Sequence, residues 1–161
     1  MDYLLNFLKS TKTIQVHQAI MSQFNIIWLD ANALDAKSSF RSKLGATELF
    51  TNVDSCVKYV KSHSNVPIYL IVSGSFAKEA IPKIYDSPKL VQIFIFCGSV
   101  TAYAEWAMDY RDKVMIFDHG DDLLERLWND LQTSLQEQGM LCLKLATEYK
   151  QRALQFKQSC C

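Results

Sequence analysis

The chain contains four short runs of consecutive, mostly apolar residues. They cover residues 25–30 (NIIWLD), 68–73 (IYLIVS), 92–97 (QIFIFC) and 114–118 (VMIFD). Runs rich in Ile, Val and Phe, separated by helix-length segments, are typical of strands buried on both faces of a parallel sheet. A weaker strand is predicted at 47–51, and its polar flanks suit the edge of a sheet.

The segments between the strands have helical periodicity. Polar residues at about 38–44 predict a short helix, and Asn52 can cap a helix over 53–63. A further helix is predicted at about 100–110. After the third strand the pattern is again helical, but it contains Pro82.

A proline deep inside a helix costs about 3 kcal/mol, and it is tolerated mainly in the first turn. We therefore predict that residues 74–78 form a loop and that the helix begins near Glu79. Further along the chain, a long helix is predicted over 121–137, with Gly139 ending it and a separate helix over 140–158.

Strands that alternate with helices imply right-handed crossovers and a doubly wound, three-layer α/β sandwich. Because the weak strand is second, the flavodoxin-like order 2-1-3-4-5 is expected for the five-stranded parallel sheet. The predicted organisation is an N-terminal helical segment at 1–23, an α/β domain at 24–138 and a helical extension at 139–161. Eight strand residues are predicted to be largely buried, namely Ile27, Leu29, Leu70, Val72, Phe94, Phe96, Met115 and Phe117.

Composition narrows the function classes. The chain has 17 basic and 17 acidic residues, so it lacks the basic surplus of a nucleic-acid binder. No apolar stretch approaches the ~20 residues of a membrane-spanning helix, so no membrane partner is expected. The five cysteines are odd in number and lack any CxxC spacing, which favours reduced thiols in the cytoplasm.

A candidate site follows from topology alone. In a doubly wound sheet, ligands bind beyond the carboxyl ends of the strands. Small Gly/Ser turns there, each leading to a helix, could present backbone N–H groups to an anion such as phosphate, although such turns are also ordinary helix caps. The residues expected at this edge, with Glu79 nearby, are Asp30, Ser73, Gly74, Ser75, Cys97, Gly98, Ser99 and Asp118.

Two more specific kinds of site, a divalent-cation site and a catalytic cysteine, have little support in the sequence at this edge. Asp30 and Asp118 could bind a divalent ion, but two carboxylates on separate strand ends provide few ligands for a cation. The simpler interpretation is that these acids cap helices or are solvated. Cys97 could act as a nucleophile with His119 as its base, against the simpler interpretation of an inert strand-end cysteine. No metal site and no complete catalytic set is predicted.

The motifs resemble known families. IYLIVSGS, preceded by LFTNVDSCVKYVKS, is similar to the central part of Toll/interleukin-1-receptor (TIR) domains. FTNVDSCVKYV, LIVSGSFAKEAIPKI and IFIFC followed by EWA more closely resemble an uncharacterised receiver-like domain. That domain is found beside tetratricopeptide repeats or ADP-ribosyltransferase domains in large invertebrate proteins. The resemblance covers roughly residues 25–135 and implies a flavodoxin-like fold.

The catalytic residues of these families do not transfer. TIR domains that cleave NAD carry a glutamate in a Trp-Cys-x-x-Glu context, where this chain has residues 81–84 (IPKI) and only Glu79 nearby. Phosphoacceptor receivers carry an acid pair, an aspartate and a lysine after strands one, three and five, where this chain has Asp30, Ser73 and Asp118.

We therefore expect a non-enzymatic signalling or scaffold module, part of a larger polypeptide, that acts by association with a protein or with itself through its terminal helices. The alternative is a sensor or enzyme for NAD or an ADP-ribose-type nucleotide that uses the Ser73–Ser75 turn and Glu79. No cofactor is expected, apart from such a nucleotide as a possible ligand.

Overall fold

The computed structural model of the chain describes residues 23–45, 47–62 and 65–159. The predicted N-terminal helical segment lies outside these residues, apart from position 23. The strands of the described part are β1 (Asn25–Leu29), β2 (Glu48–Phe50), β3 (Ile68–Ser73), β4 (Leu90–Phe96) and β5 (Val114–Phe117). Its helices are α1 (Ser39–Leu44), α2 (Val53–Ser62), α3 (Gly74–Ile84), α4 (Thr101–Ala107), which continues as a 3-10 turn at Met108–Tyr110, and α5 (Gly120–Ser159).

The five strands form one parallel sheet in the order β2-β1-β3-β4-β5, which confirms the predicted fold class and strand order. The register is regular at the carboxyl ends, where Leu29 pairs with Val72 and Ser73 pairs with Phe96. Parallel pairing places the ends of all five strands at the same edge of the sheet.

Alternation along the strands divides the core between the two faces of the sheet. One face carries Ile27, Leu70 and Ile93, which belong to a buried cluster with residues of α2, α3 and α4. On the other face, Trp28 is buried and makes an edge-to-face contact with Phe40 of α1, with ring centroids 5.2 Å apart. Helices therefore contact both faces, as a doubly wound sheet requires.

Five of the eight residues predicted to be buried are inaccessible to solvent, namely Ile27, Leu29, Leu70, Val72 and Phe94. Phe96, Met115 and Phe117 are less completely buried, with intermediate exposure. Met115 and Phe117 lie on β5, an edge strand with a neighbour on one side only. Phe96 is the last residue of β4, where the sheet meets solvent.

The predicted loop at 74–78 is also wrong, because α3 begins at Gly74 and includes Pro82. The proline removes the hydrogen bond to the carbonyl of Lys78, four residues earlier. Pro82 and Lys78 are both exposed, so this carbonyl lies on the solvent side of α3. On the opposite side of the helix, Ala80 and Ile81 are fully buried, and this burial offsets the cost of the proline.

The chain divides into two compact units at the junction between Gly120 and Asp121. The second unit is described as α5, whose 40 residues run through Gly139 without a break, so the predicted helix end there is wrong. A glycine inside a helix costs only about 1 kcal/mol relative to alanine. Gly139 also lacks the positive φ of a helix-ending glycine, since the one glycine with positive φ among the described residues is Gly45.

Burial along α5 changes at its middle. In its first half, Leu124, Leu127 and Leu131 are buried, Leu135 is half-buried and Trp128 is 38% exposed. Leu123 is buried as well. Every residue from 139 to 157 is exposed.

One prediction concerns Cys56, which is fully buried in α2. Burial raises the pKa of its thiol from 9.0 to about 12. Between these values the unfolded thiol is ionised and the folded thiol keeps its proton, so the contribution to stability is complete below pH 9 and is lost as the pH rises towards 12. Urea denaturation across this range should show a steeper fall in the free energy of unfolding for the native chain than for the Cys56→Ala variant. An equal fall in the free energy of unfolding with pH in the two chains would contradict the assignment of this pH dependence to Cys56.

Candidate functional site at the carboxyl edge of the sheet

The structure places the predicted strand-end residues at one edge of the sheet. The backbone N–H of Asp30 donates to the carbonyl of Phe50 at 3.0 Å, and the N–H of Cys97 donates to the carbonyl of Phe117 at 2.9 Å. Ser73 ends β3 and lies beside Phe96 of β4. Asp118 follows β5, so the strand ends follow one another across the edge.

The hydroxyl groups at this edge are paired with one another. Ser73 occupies the N-cap position of α3, yet its side chain makes no capping hydrogen bond. Its Oγ lies 3.0 Å from the Oγ of Ser75. In the next loop, Ser99 Oγ lies 3.0 Å from Thr101 Oγ1. In each pair one hydroxyl donates its proton to the other oxygen, and both oxygens can still accept hydrogen bonds.

Gly74 is where this edge is most tightly packed. A Cβ atom at this position would lie 2.7 Å from the Tyr103 hydroxyl and 2.8 Å from the Cβ of Cys97. The glycine therefore lets the start of α3 approach the end of β4, and the ring of Tyr103 from α4 fills the space beside it. Gly98 differs, since a Cβ atom added there would meet no other atom within 4 Å.

Tyr103 and Lys78 belong to this edge and were missed from the sequence. Tyr103 is half-buried, and the ammonium of Lys78 lies 5.4 Å from the centre of its ring, within cation–π range. The helical pattern places Tyr103 on the packed face of its helix. No sequence signal shows that this ring lies against the glycine of another loop, because that contact depends on two neighbouring crossovers.

Glu79 is engaged away from the serines. Its Oε1 accepts a hydrogen bond from Lys83 Nζ at 3.1 Å, one helical turn further along α3. Asp54 of α2 lies 3.6 Å from the same ammonium. The hydrogen bond that Lys83 donates to Glu79 is the main cause that raises the pKa of Lys83, and the negative charges of Glu79 and Asp54 act in the same direction.

Asp30 and Asp118, the two aspartates considered as a cation site, lie far apart along the edge of the sheet. Asp30 follows β1 and Asp118 follows β5, and β3 and β4 lie between those strands. Three inter-strand steps correspond to about 14 Å, too far for one ion to be bound by both carboxylates. Asp30 Oδ1 instead accepts from the backbone N–H of Asn32 at 2.7 Å, which closes a local turn.

Cys97 and His119 are each engaged with other groups. The Cys97 thiol donates to the carbonyl of Ser99, with Sγ 3.4 Å from the oxygen. The Nε2 of His119 lies 4.0 Å from an oxygen of Asp118, and the imidazole is 77% exposed. Neither contact supplies the thiol with a base, so among the described residues this edge offers hydroxyls and backbone groups for binding and no assembled nucleophile.

A surface cavity of about 480 Å³ lies elsewhere in the first unit and was not predicted from the sequence. It is formed where α2 and α3 end, together with the turn that follows α3. Its lining consists of Lys61, Lys83, Ile84, Asp86, Ser87 and Pro88. Lys83 already has two carboxylate partners, and the lining also contains one further cation, Lys61, and one acid, Asp86.

The chain matches no protein-family model, no curated protein and no solved structure at a significant level. Within the described residues, none of the helices is both long enough and apolar enough to cross a membrane. Function must therefore be argued from the geometry of this chain.

Proposed function

We propose that the protein is a non-enzymatic signalling or scaffold module that acts by protein association, with α5 as its contact element. The observation that carries the proposal is the apolar surface on the second half of this helix. The side chains concerned are 43–76% exposed, and they are Met140, Leu141, Leu143, Leu145, Tyr149, Leu154 and Phe156. Exposed apolar surface of this density marks an interaction site in a folded protein.

The carboxyl edge of the sheet supports the same proposal. Its serine hydroxyls are paired with neighbouring hydroxyls, and Tyr103 fills the space beside Gly74. Glu79, the acid nearest to the place of a TIR-type catalytic glutamate, is paired with Lys83. We propose that this edge stabilises the fold, and that the chain is a cytoplasmic, TIR-like or receiver-like module of a larger polypeptide.

Incubation with NAD, ADP-ribose and related nucleotides tests the proposal against the nucleotide-sensor alternative. The proposal predicts no release of nicotinamide and no shift in the thermal unfolding midpoint for any member of the panel. Saturable stabilisation or nicotinamide release would contradict it, and loss of that effect in Ser73→Ala or Glu79→Gln would assign it to this edge of the sheet. Glu105→Gln is the matched control, because Glu105 is an exposed glutamate on α4 and lies outside the candidate site.

A further inference from the structure

A seven-residue repeat runs along the second half of α5. Leu135, Cys142, Tyr149 and Phe156 recur at every seventh position, and Gly139, Ala146 and Ala153 recur at every seventh position between them. Together with Gln132, these residues are spaced by three and four in turn. That spacing defines one continuous seam along a helix, as in two-stranded helical coils. We call these eight residues the α5 seam.

The α5 seam is open to solvent along most of its length. Tyr149 is 66% exposed and Phe156 is 76% exposed, while Leu135 is half-buried. A Cβ atom on Gly139 would meet no other atom within 4 Å. A glycine in the middle of a 40-residue helix is unfavourable by about 1 kcal/mol, so a purely solvent-exposed helix gains nothing from it.

The α5 seam is complementary to itself when two copies run antiparallel. If Cys142 faces Ala146 of a second copy, then Gly139 faces Tyr149 and Leu135 faces Ala153. Leu135 and Tyr149 then lie over an alanine and a glycine, which lets the two helices approach closely at these positions, and Phe156 faces Gln132. A parallel pair would place Tyr149 on Tyr149 and glycine on glycine, leaving gaps beside crowded rings.

The distribution of charge along α5 also favours the antiparallel arrangement. Residues 129–143 contain no lysine or arginine and two acids, Glu137 and Asp130, of which Asp130 is already paired with Arg126 at 2.8 Å. Residues 145–159 contain Lys150, Arg152 and Lys157 against the single acid Glu148. The antiparallel arrangement places Glu137 of each copy at the height of Lys150 and Arg152 of the other, and it brings the two copies of Lys144 to the same height. A parallel arrangement would place like charge on like charge.

We infer that the α5 seam is occupied by the α5 seam of a second copy of this chain, as an antiparallel helix pair with Cys142 facing Ala146. This inference rests on the proposed function and adds the partner and the geometry. The overlap spans residues 132–156 of each copy, which is about 36 Å at 1.5 Å per residue.

Pulsed dipolar spectroscopy on the full chain tests both pairing and direction. A spin label is attached at Lys144→Cys or at Lys157→Cys, in a chain whose other cysteines, apart from buried Cys56, are replaced by serine or alanine. In the antiparallel pair the two labels at position 144 lie at the same height along the helix axes. The distance between them is then below about 30 Å, because the axes of packed helices are 8–10 Å apart. Labels at 157 are separated by about 39 Å along the axis.

Seam variants supply the second half of the experiment. Tyr149→Arg should reduce the paired fraction, with association weakened about tenfold, because Tyr149 faces Gly139 within the overlap. Gln151→Arg is the matched control, since Gln151 is exposed and lies on the side of α5 away from the seam, and it should leave the paired fraction unchanged.

Three outcomes would overturn the inference: no dipolar signal, short distances at both positions, or equal loss of pairing in both variants. None of these outcomes involves nucleotide turnover or binding. Failure of the pairing is therefore distinguishable from failure of the proposed function in the nucleotide panel.

Discussion

Replacing Phe94 by alanine is expected to lower the free energy of unfolding by about 3–5 kcal/mol, the range for a fully buried phenylalanine. Phe94 is inaccessible to solvent and lies on β4, between β3 and β5. Its ring centroid is 6.0 Å from that of Phe117 on the neighbouring strand. The truncation removes this contact and leaves a cavity that the rigid sheet cannot close. Urea denaturation measures the loss.

Val91→Ala is the control for this prediction, because Val91 lies on the same strand and is 45% exposed. Its truncation should change the free energy of unfolding by no more than about 0.5 kcal/mol. Equal losses for the two variants would mean that Phe94 does not lie in the core of the sheet.

The second large effect is expected from Gly74→Ala, which should cost about 1–3 kcal/mol by overpacking. The new methyl group would lie 2.8 Å from the Cβ of Cys97, an atom fixed by the backbone that follows β4. Rotation of a side chain cannot relieve that contact, so α3 and the strand end must move apart. Chemical denaturation again gives the magnitude.

Gly98→Ala tests whether the cost at Gly74 comes from packing or from glycine replacement as such. Gly98 lies in the neighbouring loop, and an added Cβ there meets nothing within 4 Å. We expect no loss of stability for this variant, because a glycine without positive φ accepts alanine readily. A loss as large as that of Gly74→Ala would refute the close approach described for Tyr103 and Cys97.

The sheet could be predicted because its signal is local. Each strand is a run of consecutive apolar residues, and the weak run at Glu48–Phe50 is the edge strand, as its polar flanks indicate. The helix boundaries were harder, because Pro82 and Gly139 are unfavourable in helices whatever their surroundings. At Pro82 the buried alanines and isoleucines of α3 decide the outcome, and that burial exists only in the folded chain.

The candidate site could be predicted in position but not in its contacts. Topology alone places Ser73, Cys97 and Asp118 at one edge, since parallel strands end together. The pairing of Ser73 with Ser75 depends on side-chain rotamers, and the approach of Tyr103 depends on how two crossovers pack. Residue types and spacing do not encode either of these features, so the sequence predicted a more open edge than the structure has.

Sedimentation equilibrium on the unmodified full chain tests the central claim, that the exposed surface of α5 is an association surface filled by a second copy. The account predicts a mass of twice the 18.5 kDa of one chain, falling to the single-chain mass on dilution. The Tyr149→Arg chain should remain at the single-chain mass over concentrations at which the native chain is paired. A single-chain mass for the native protein throughout a series reaching its solubility limit would contradict the account.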